Sequence, residues 1–331
     1  MKNDLDLRKS NKTFSLQKFL ALGTLIILYI FFSFFGKNFF SVGTLINILD
    51  SSYYIGFLAL GVTFVIITGG IDLSIGTVMM CSALIGGVAY NVWHWPIGLA
   101  MVFIIIIATL FGLLNGFMVA KLKLPPFIAT LGTMMVSMGF GAIVSKVMTM
   151  RYPTVTDPDG WFKFAFYKTQ NGFPIGAVWL AIFFVISFIL LNKTRLGRYT
   201  FAIGSNEEAT RLSGVKVDFW KMMVYVISGF FAGVAAILYA AAYTSIIPST
   251  GNGIELLAIA GVVIGGTSLA GGIGTISGTL IGVYIMSVLK QGLMSMNLQG
   301  QWQTFFTGIV VIGAVLLDIY RNKKANQVKR D

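Results

Sequence analysis

The sequence predicts an all-α, polytopic membrane protein of about ten transmembrane helices, forming one domain over residues 1–331. Apolar residues make up 56% of the chain and charged residues only 11%, whereas a soluble domain carries about 25% charged residues. The apolar residues are gathered into runs close to the ~20 residues that cross a bilayer core about 30 Å thick. Backbone groups in lipid must be paired within their own segment, so runs of this length predict helices.

Ten apolar runs follow one another along the chain. The first run comes after a basic stretch, as in a signal peptide, but the sequence Gly36-Lys37-Asn38 behind it contains no small-residue cleavage site. We therefore interpret this run as an uncleaved span. The predicted spans are 19–35, 45–68, 73–90, 97–119, 127–147, 175–191, 222–244, 256–270, 273–295 and 303–319.

Lysine and arginine residues divide unevenly between the two faces of the predicted bundle. Of the 24 basic residues, 18 fall on the face that holds segments 1–18, 121–123, 192–221 and 320–331; we call this face the basic side and the other the opposite side. Positive residues near spans stay in the cytoplasm. Segments 1–18 and 320–331 are therefore predicted as cytoplasmic termini and 192–221 as a cytoplasmic loop. Because the charges are scattered between apolar runs, they do not form a nucleic-acid-binding face.

Two glycine-rich segments interrupt the apolar runs: Thr68–Gly76, the first break, and Ile264–Thr275, the second break. Irregular backbone is tolerated at membrane depth only where protein or a water-filled cavity satisfies it, so such breaks indicate a transport path; close helix packing through small residues is the alternative. Ala59–Val62 before the first break and Ala260–Val263 before the second are loosely alike, which suggests an internal repeat. Asp72 is expected to cap the helix behind the first break, or else to contact solute or act in gating. The candidate path residues are Gly69, Gly70, Asp72 and Ser74 in the first break and Gly265, Gly266, Thr267, Gly271 and Gly272 in the second.

Other ionisable residues near the spans each need a reason, because charge is expensive in lipid. Glu255 begins the eighth span, where a helix N-terminus favours negative charge. Asp50 and Lys290 lie in the half of the bundle toward the opposite side, where water can reach them. Asp318 precedes Arg321 by three residues, the spacing of an ordinary surface pair on a helix.

The sequence contains no motif that binds a nucleotide or a catalytic metal. There is no G-x-x-x-x-G-K-[ST], no H-E-x-x-H and no pair of carboxylates at catalytic spacing. The single cysteine, Cys81, and the single histidine, His94, allow neither a disulfide nor a metal cluster. We therefore predict no catalytic residue, metal or cofactor, and any energy for transport is expected from a separate chain. An ion-coupled secondary carrier is the alternative, but such carriers usually show paired acids inside their spans.

The loop 192–221 contains a segment with strong helix-end signals. Ser205 with Glu208 three residues later has the pattern of a capping box, and Gly214 is placed to end the helix. Glu207 and Glu208 complement the dipole of its first turn. The segment predicts a short helix on the basic side where an energy-supplying partner could dock.

The long segment 148–174 on the opposite side is the second candidate docking surface. Asp157-Pro158-Asp159-Gly160 predicts a turn. Behind it, Phe162, Phe164 and Phe166 alternate with other residues, a pattern typical of a strand or of a surface-lying segment. It suits either interfacial anchoring or contact with an external partner.

Five ordered segments resemble the signature segments of the ribose/galactose/xylose-type permeases of ATP-binding-cassette (ABC) importers, a family related to branched-chain amino-acid permeases. They are 69–76, 123–133, 192–197, 202–215 and 255–274, and the likeness covers nearly the whole chain. The sequence is therefore identified as a member of that family, although the resemblance leaves the particular sugar open; a nucleoside or an amino acid is the alternative cargo.

The resemblance implies a set of partners and a location. The family's permeases sit in the bacterial inner membrane, pair with a second permease copy or a close paralogue, receive sugar from an extracytoplasmic binding protein, and contact a cytoplasmic ABC ATPase. It also places Glu207 and Glu208 on the helix that couples to the ATPase. The residues expected in that contact are Ser205, Asn206, Glu207, Glu208, Arg211 and Gly214.

Overall fold

A computed structural model describes residues 21–327 of the chain. The predicted cytoplasmic segment 1–18 and the last residues of the tail lie outside this range. Within it, the chain forms thirteen helices and two short strands. These are α1 (Ala21–Phe35), α2 (Val42–Ile67), α3 (Ile75–Asn91), α4 (Ile97–Ala120), α5 (Pro126–Val144), β1 (Met150–Arg151), α6 (Trp161–Phe166), α7 (Ile175–Lys193), α8 (Arg195–Ser205), α9 (Glu207–Leu212), α10 (Val217–Tyr243), β2 (Ser245–Ile246), α11 (Ile254–Ile264), α12 (Ile276–Ser295) and α13 (Gly300–Gln327).

The ten predicted spans correspond to ten apolar helices. Seven are long enough to cross a bilayer, and the other three, α1, α3 and α11, are shorter apolar helices. The largest differences are at α13, which ends at Gln327 rather than 319, at α11, which ends at Ile264 rather than 270, and at α10, which begins at Val217 rather than 222. α11 ends early because the glycines that follow it form the second break.

Helix α2 is the central element of the bundle. Its most apolar window is 94% buried, against 6% for α13 at the periphery. Around α2, the helices approach closely through glycines. A Cβ on Gly112 of α4 would come 2.9 Å from the Cα of Gly229 in α10, and a Cβ on Gly61 of α2 would come 3.2 Å from the Cα of Ser228 in α10. This packing of backbone on backbone is how helices associate in a membrane.

The segment on the opposite side is helical where its sequence pattern suggests a strand. Phe162 and Phe166 lie four residues apart in α6 and therefore share one helix face. Phe162 stacks on Tyr152 with ring centroids 5.8 Å apart, and Phe166 stacks on Trp179 at 5.6 Å. The strand-like interpretation is wrong because these two packing contacts favour the helical period over the alternating one.

The two breaks begin with the same backbone structure. After α2, Gly69 has φ +77° and donates its N–H to Ile66, while Gly70 donates to Val65. After α11, Gly266 has φ +96°, and the same two hydrogen bonds run back to the residues three and five earlier in the chain. Both are Schellman motifs, in which glycine takes the left-handed position. The structural correspondence pairs residue 69 with 266, so the loosely similar stretches before the breaks are four residues out of register with it.

Candidate functional site

The two breaks and the loop 192–221 meet at one point, which we call the junction. The N–H of Gly272, in the second break, donates to the carbonyl of Ile67 at the end of α2 over 2.8 Å. Gly204, near the end of α8, lies against both of these residues, and a Cβ there would overlap the Ile67 carbonyl oxygen. A Cβ on Gly271 would come 2.8 Å from the Gly204 oxygen and 3.0 Å from the Gly69 nitrogen. Three segments far apart in the sequence therefore touch through their main chains.

The predicted path residues of the second break lie around the junction or just before it. Gly271 and Gly272 form part of it, and Gly272 also packs on Ser205. Gly265 packs closely on Gly278 of α12, and Thr267 is buried with a hydroxyl that has no hydrogen-bond partner. Gly266 supplies the Schellman turn that directs the chain toward this packing.

Asp318 of α13 contacts the second break, whereas the side chain of Arg321, its predicted surface partner, lies outside what the structure describes. Its Oδ2 accepts hydrogen bonds from the Ser268 hydroxyl at 3.2 Å and the Leu269 N–H at 3.0 Å. The acid thus ties the peripheral helix α13 to the irregular backbone. Spacing along one helix does not reveal such a contact between helices.

Asp72 in the first break is buried in a polar network rather than acting as the expected helix cap. Ser74 is the residue at the N-cap position of α3. The Asp72 carboxylate accepts from the Ser74 N–H at 3.1 Å, the Ser74 hydroxyl at 2.7 Å and the Ser228 hydroxyl at 2.9 Å. Asn115 of α4 donates to Ser74 Oγ at 2.8 Å and lies 3.4 Å from Asp72. One acid therefore links the first break to α4 and α10.

The short helix on the basic side begins one residue later than predicted, and the capping box is absent. Ser205 is the last residue of α8, and Asn206 caps α9 by accepting the Ala209 N–H at 2.9 Å. Asn206 can cap α9 because its extended backbone (φ −162°) interrupts the helical conformation between α8 and α9. Gly214, with φ +81°, follows the C-cap Ser213 as expected.

Charged side chains fix α9 to the start of α10. Glu207 pairs with Arg211 at 3.1 Å and with Lys221 at 2.9 Å. Arg211 also reaches Asp218 at 3.1 Å. Partial burial raises the pKa of Glu207, but hydrogen bonds from Lys221 and Arg211 outweigh it and hold that pKa below its ordinary value. Glu208, in contrast, is exposed on α9.

Sequence reasoning missed several residues that complete these contacts. Gly204 lay inside a recognised segment, but nothing in the sequence indicates that it touches Ile67. Asn115 was detectable in principle, since an amide within the apolar run of α4 needs a partner. Ser228 had no signal, because serine is common in membrane helices.

Ten apolar helices, two breaks with matching backbone and a helical loop resting on both breaks define a multi-pass membrane permease. The profile of the family described as "branched-chain amino acid transport system / permease component" matches residues 44–315. The chain belongs to this family, which confirms the identification from its motifs.

Relatives in the family are named as importers of sugars. The chain is 39% identical over 316 residues to the ribose import permease protein RbsC of Escherichia coli strain K12, covering 92% of this chain and 93% of that one. It is 39% identical over 308 residues to the ribose import permease of Bacillus subtilis strain 168, covering 91% and 92%. It is 30% identical over 367 residues to the xylose transport system permease protein XylH of Escherichia coli strain K12, covering 93% of both.

Proposed function

We propose that this chain is the transmembrane permease subunit of an ABC importer that carries a monosaccharide across the inner membrane of a bacterium. ATP is hydrolysed by a separate cytoplasmic chain, sugar is delivered by an extracytoplasmic binding protein, and a second permease copy or close paralogue completes the transporter. The observation that carries the proposal is the junction: the loop available to an ATPase is in backbone contact with both helix breaks.

The contact geometry supports mechanical coupling through α8 and α9. The ion pairs of Glu207 and Arg211 hold α9 as one unit with the start of α10. Gly204 then transmits any displacement of α8 to Ile67 and Gly272, because no flexible side chain separates their main chains. A partner that moves α9 would thus shift both breaks together, which suits alternating access by rocking of helices around a central path.

Sugar is the favoured cargo because the ribose and xylose permeases named above match more than nine-tenths of this chain. The family description, however, names branched-chain amino acids. The two cargo classes are separable by one assay. Proteoliposomes containing the permease, its ATPase and its binding protein should take up D-ribose, D-xylose or D-fructose, but not L-leucine, when ATP is supplied on the ATPase side.

Uptake by those proteoliposomes also separates the importer from an ion-coupled carrier. We expect it to stop when ATP is withheld and to continue in the presence of a protonophore. Uptake driven by an ion gradient without ATP would overturn the proposed function, and uptake of L-leucine alone would overturn the sugar assignment.

The orientation proposed here, with both termini and the basic side cytoplasmic, is tested by thiol labelling. In a Cys81→Ser background, a cysteine replacing the exposed Glu208 should react with an impermeant reagent only in inverted vesicles. A cysteine replacing Thr156, exposed on the opposite side, should react only in intact cells. The reversed pattern would overturn the orientation.

A further inference from the structure

Three tyrosines and a lysine form a cluster near the opposite side of the bundle. Tyr54 of α2 packs edge-on against Tyr239 of α10 with centroids 5.2 Å apart, and Tyr239 lies 4.4 Å from Tyr243. Lys290 of α12 donates to the Tyr54 hydroxyl at 2.8 Å and lies 5.6 Å above its ring. Tyr243, the last residue of α10, is 47% exposed, so the cluster reaches the surface.

Lys290 lacks the carboxylate partner that a lysine inside a membrane helix normally has. Within residues 21–327, no carboxylate lies within ion-pair distance of its amine. An ammonium group has three donors, and the single bond to Tyr54 uses one. An ionisable residue at membrane depth is costly and is retained for a function, so the two remaining donors point to a polar ligand or to water.

A second polar group, centred on Asp50, adjoins the cluster. Asp50 lies one turn before Tyr54 on α2; its Oδ2 binds Lys168 at 2.5 Å and the Tyr167 hydroxyl at 3.0 Å. Its other oxygen, Oδ1, is buried and has no hydrogen-bond partner. Asp50 and Tyr54 are four residues apart on α2 and share one face of that helix, so the two groups are neighbours.

We infer that the cluster forms a contact site for sugar on its way into the permease, with Lys290 binding hydroxyl groups and the exposed Tyr243 ring covering an apolar face of the sugar. The oxygen of a sugar hydroxyl accepts hydrogen bonds, which matches the two free donors of Lys290. Aromatic rings give a large contact area with a polar edge. This inference rests on the proposed function and adds residues that touch the solute.

The experiment uses the complete transporter in proteoliposomes and measures D-ribose uptake and ATP hydrolysis on the same preparation. Lys290→Met keeps the length of the side chain and removes its donors; Tyr243→Ala removes the exposed ring. Lys37→Met, at an exposed lysine of the same side, is the matched control. We expect uptake by the first two variants to fall about tenfold, the ratio expected from losing one charged hydrogen bond, while hydrolysis stimulated by the loaded binding protein stays within about twofold of wild type.

The ratio of sugar carried to ATP consumed distinguishes the possible outcomes. An equal fall in uptake and hydrolysis would assign the cluster a structural role and overturn the inference. Wild-type uptake by both variants would also overturn it. If the wild-type transporter takes up none of D-ribose, D-xylose or D-fructose, the proposed function fails, and the inference fails with it.

Discussion

The junction on the basic side and the tyrosine–lysine cluster near the opposite side differ in the kind of atoms that make their contacts. At the junction, Gly204, Ile67 and Gly272 touch through main-chain atoms. Around Tyr54 and Lys290, the contacts are made by long side chains with hydrogen-bonding groups to spare. Backbone contacts have little freedom to rearrange, whereas side chains can change partners.

The difference teaches where each task of a permease can be carried out. Transmission of a displacement needs elements that do not yield, and close-packed interiors transmit strain for that reason. Recognition of a solute needs groups that exchange one hydrogen-bond partner for another. Substitutions that change the rigidity of the junction without changing the side chains that could bind solute therefore test the comparison directly.

The largest effect is expected from adding a side chain at the junction. Gly204→Val places a Cβ into the Ile67 carbonyl and breaks the hydrogen bond from Gly272, which should cost about 3 kcal/mol from overpacking and the lost bond. We expect no sugar uptake and a clear drop in the thermal midpoint of the purified permease. The control is Gly139→Ala in α5, because a Cβ at that position meets nothing within 4 Å. If the Gly204→Val variant kept wild-type stability and uptake, the junction would not be rigid.

Asp72 should rank second, because it holds the first break to neighbouring helices through side chains. Asp72→Leu leaves the Ser74 N–H, the Ser74 hydroxyl and the Ser228 hydroxyl without their acceptor, at about 1–3 kcal/mol for each donor that stays unpaired. Asp72→Asn should retain most of the stability, since its oxygen still accepts from Ser74 and its NH2 group, in the place of Oδ2, can donate to the Ser228 hydroxyl oxygen. Thermal unfolding measures the difference in midpoint between the two variants. Equal midpoints would show that the hydrogen bonds of Asp72 do not stabilise the fold.

Reversing the charge of α9 should abolish coupling with little effect on the fold. Glu207→Lys with Glu208→Lys removes exposed ion pairs worth about 0.2–1 kcal/mol each and opposes the helix dipole. We expect a thermal midpoint near that of wild type, but at least a tenfold loss of ATPase binding and of sugar-stimulated hydrolysis. The single variants refine this result: Glu208, exposed and outside the ion pairs, should account for more of the binding loss than Glu207.

The smallest effect is expected from substitutions at the cap of α9. These substitutions test which residue, Ser205 or Asn206, caps that helix. Asn206→Ala should lower the local stability of α9 by about 0.5–2 kcal/mol, measured as faster hydrogen exchange of its amides. Asn206→Ser retains a capping oxygen and should exchange near the wild-type rate. Faster exchange in Ser205→Ala than in Asn206→Ala would restore the capping box predicted from the sequence.

Local patterns in the sequence were enough to predict the ten apolar helices and the two breaks. The apolar runs predict ten spans because each span satisfies its own backbone in lipid, and the structure has ten apolar helices. The helix ends at Gly69 and Gly266 could be predicted because the left-handed backbone conformation that ends a helix favours glycine. The capping signal was misassigned by one residue, since Ser205 and Asn206 both have suitable side chains and only the backbone of Asn206 is extended.

The sequence by itself determined the membrane class of this protein, the number and order of its spans, the places where they break and the family to which it belongs. Each of these depends on neighbours along the chain. Only the tertiary structure decided that Ile67, Gly204 and Gly272 form one junction, and that Asp50, Tyr54 and Lys290 share one polar region. The physical reason is that contacts between backbones, and between side chains on separate helices, leave no periodic pattern in the residues that make them.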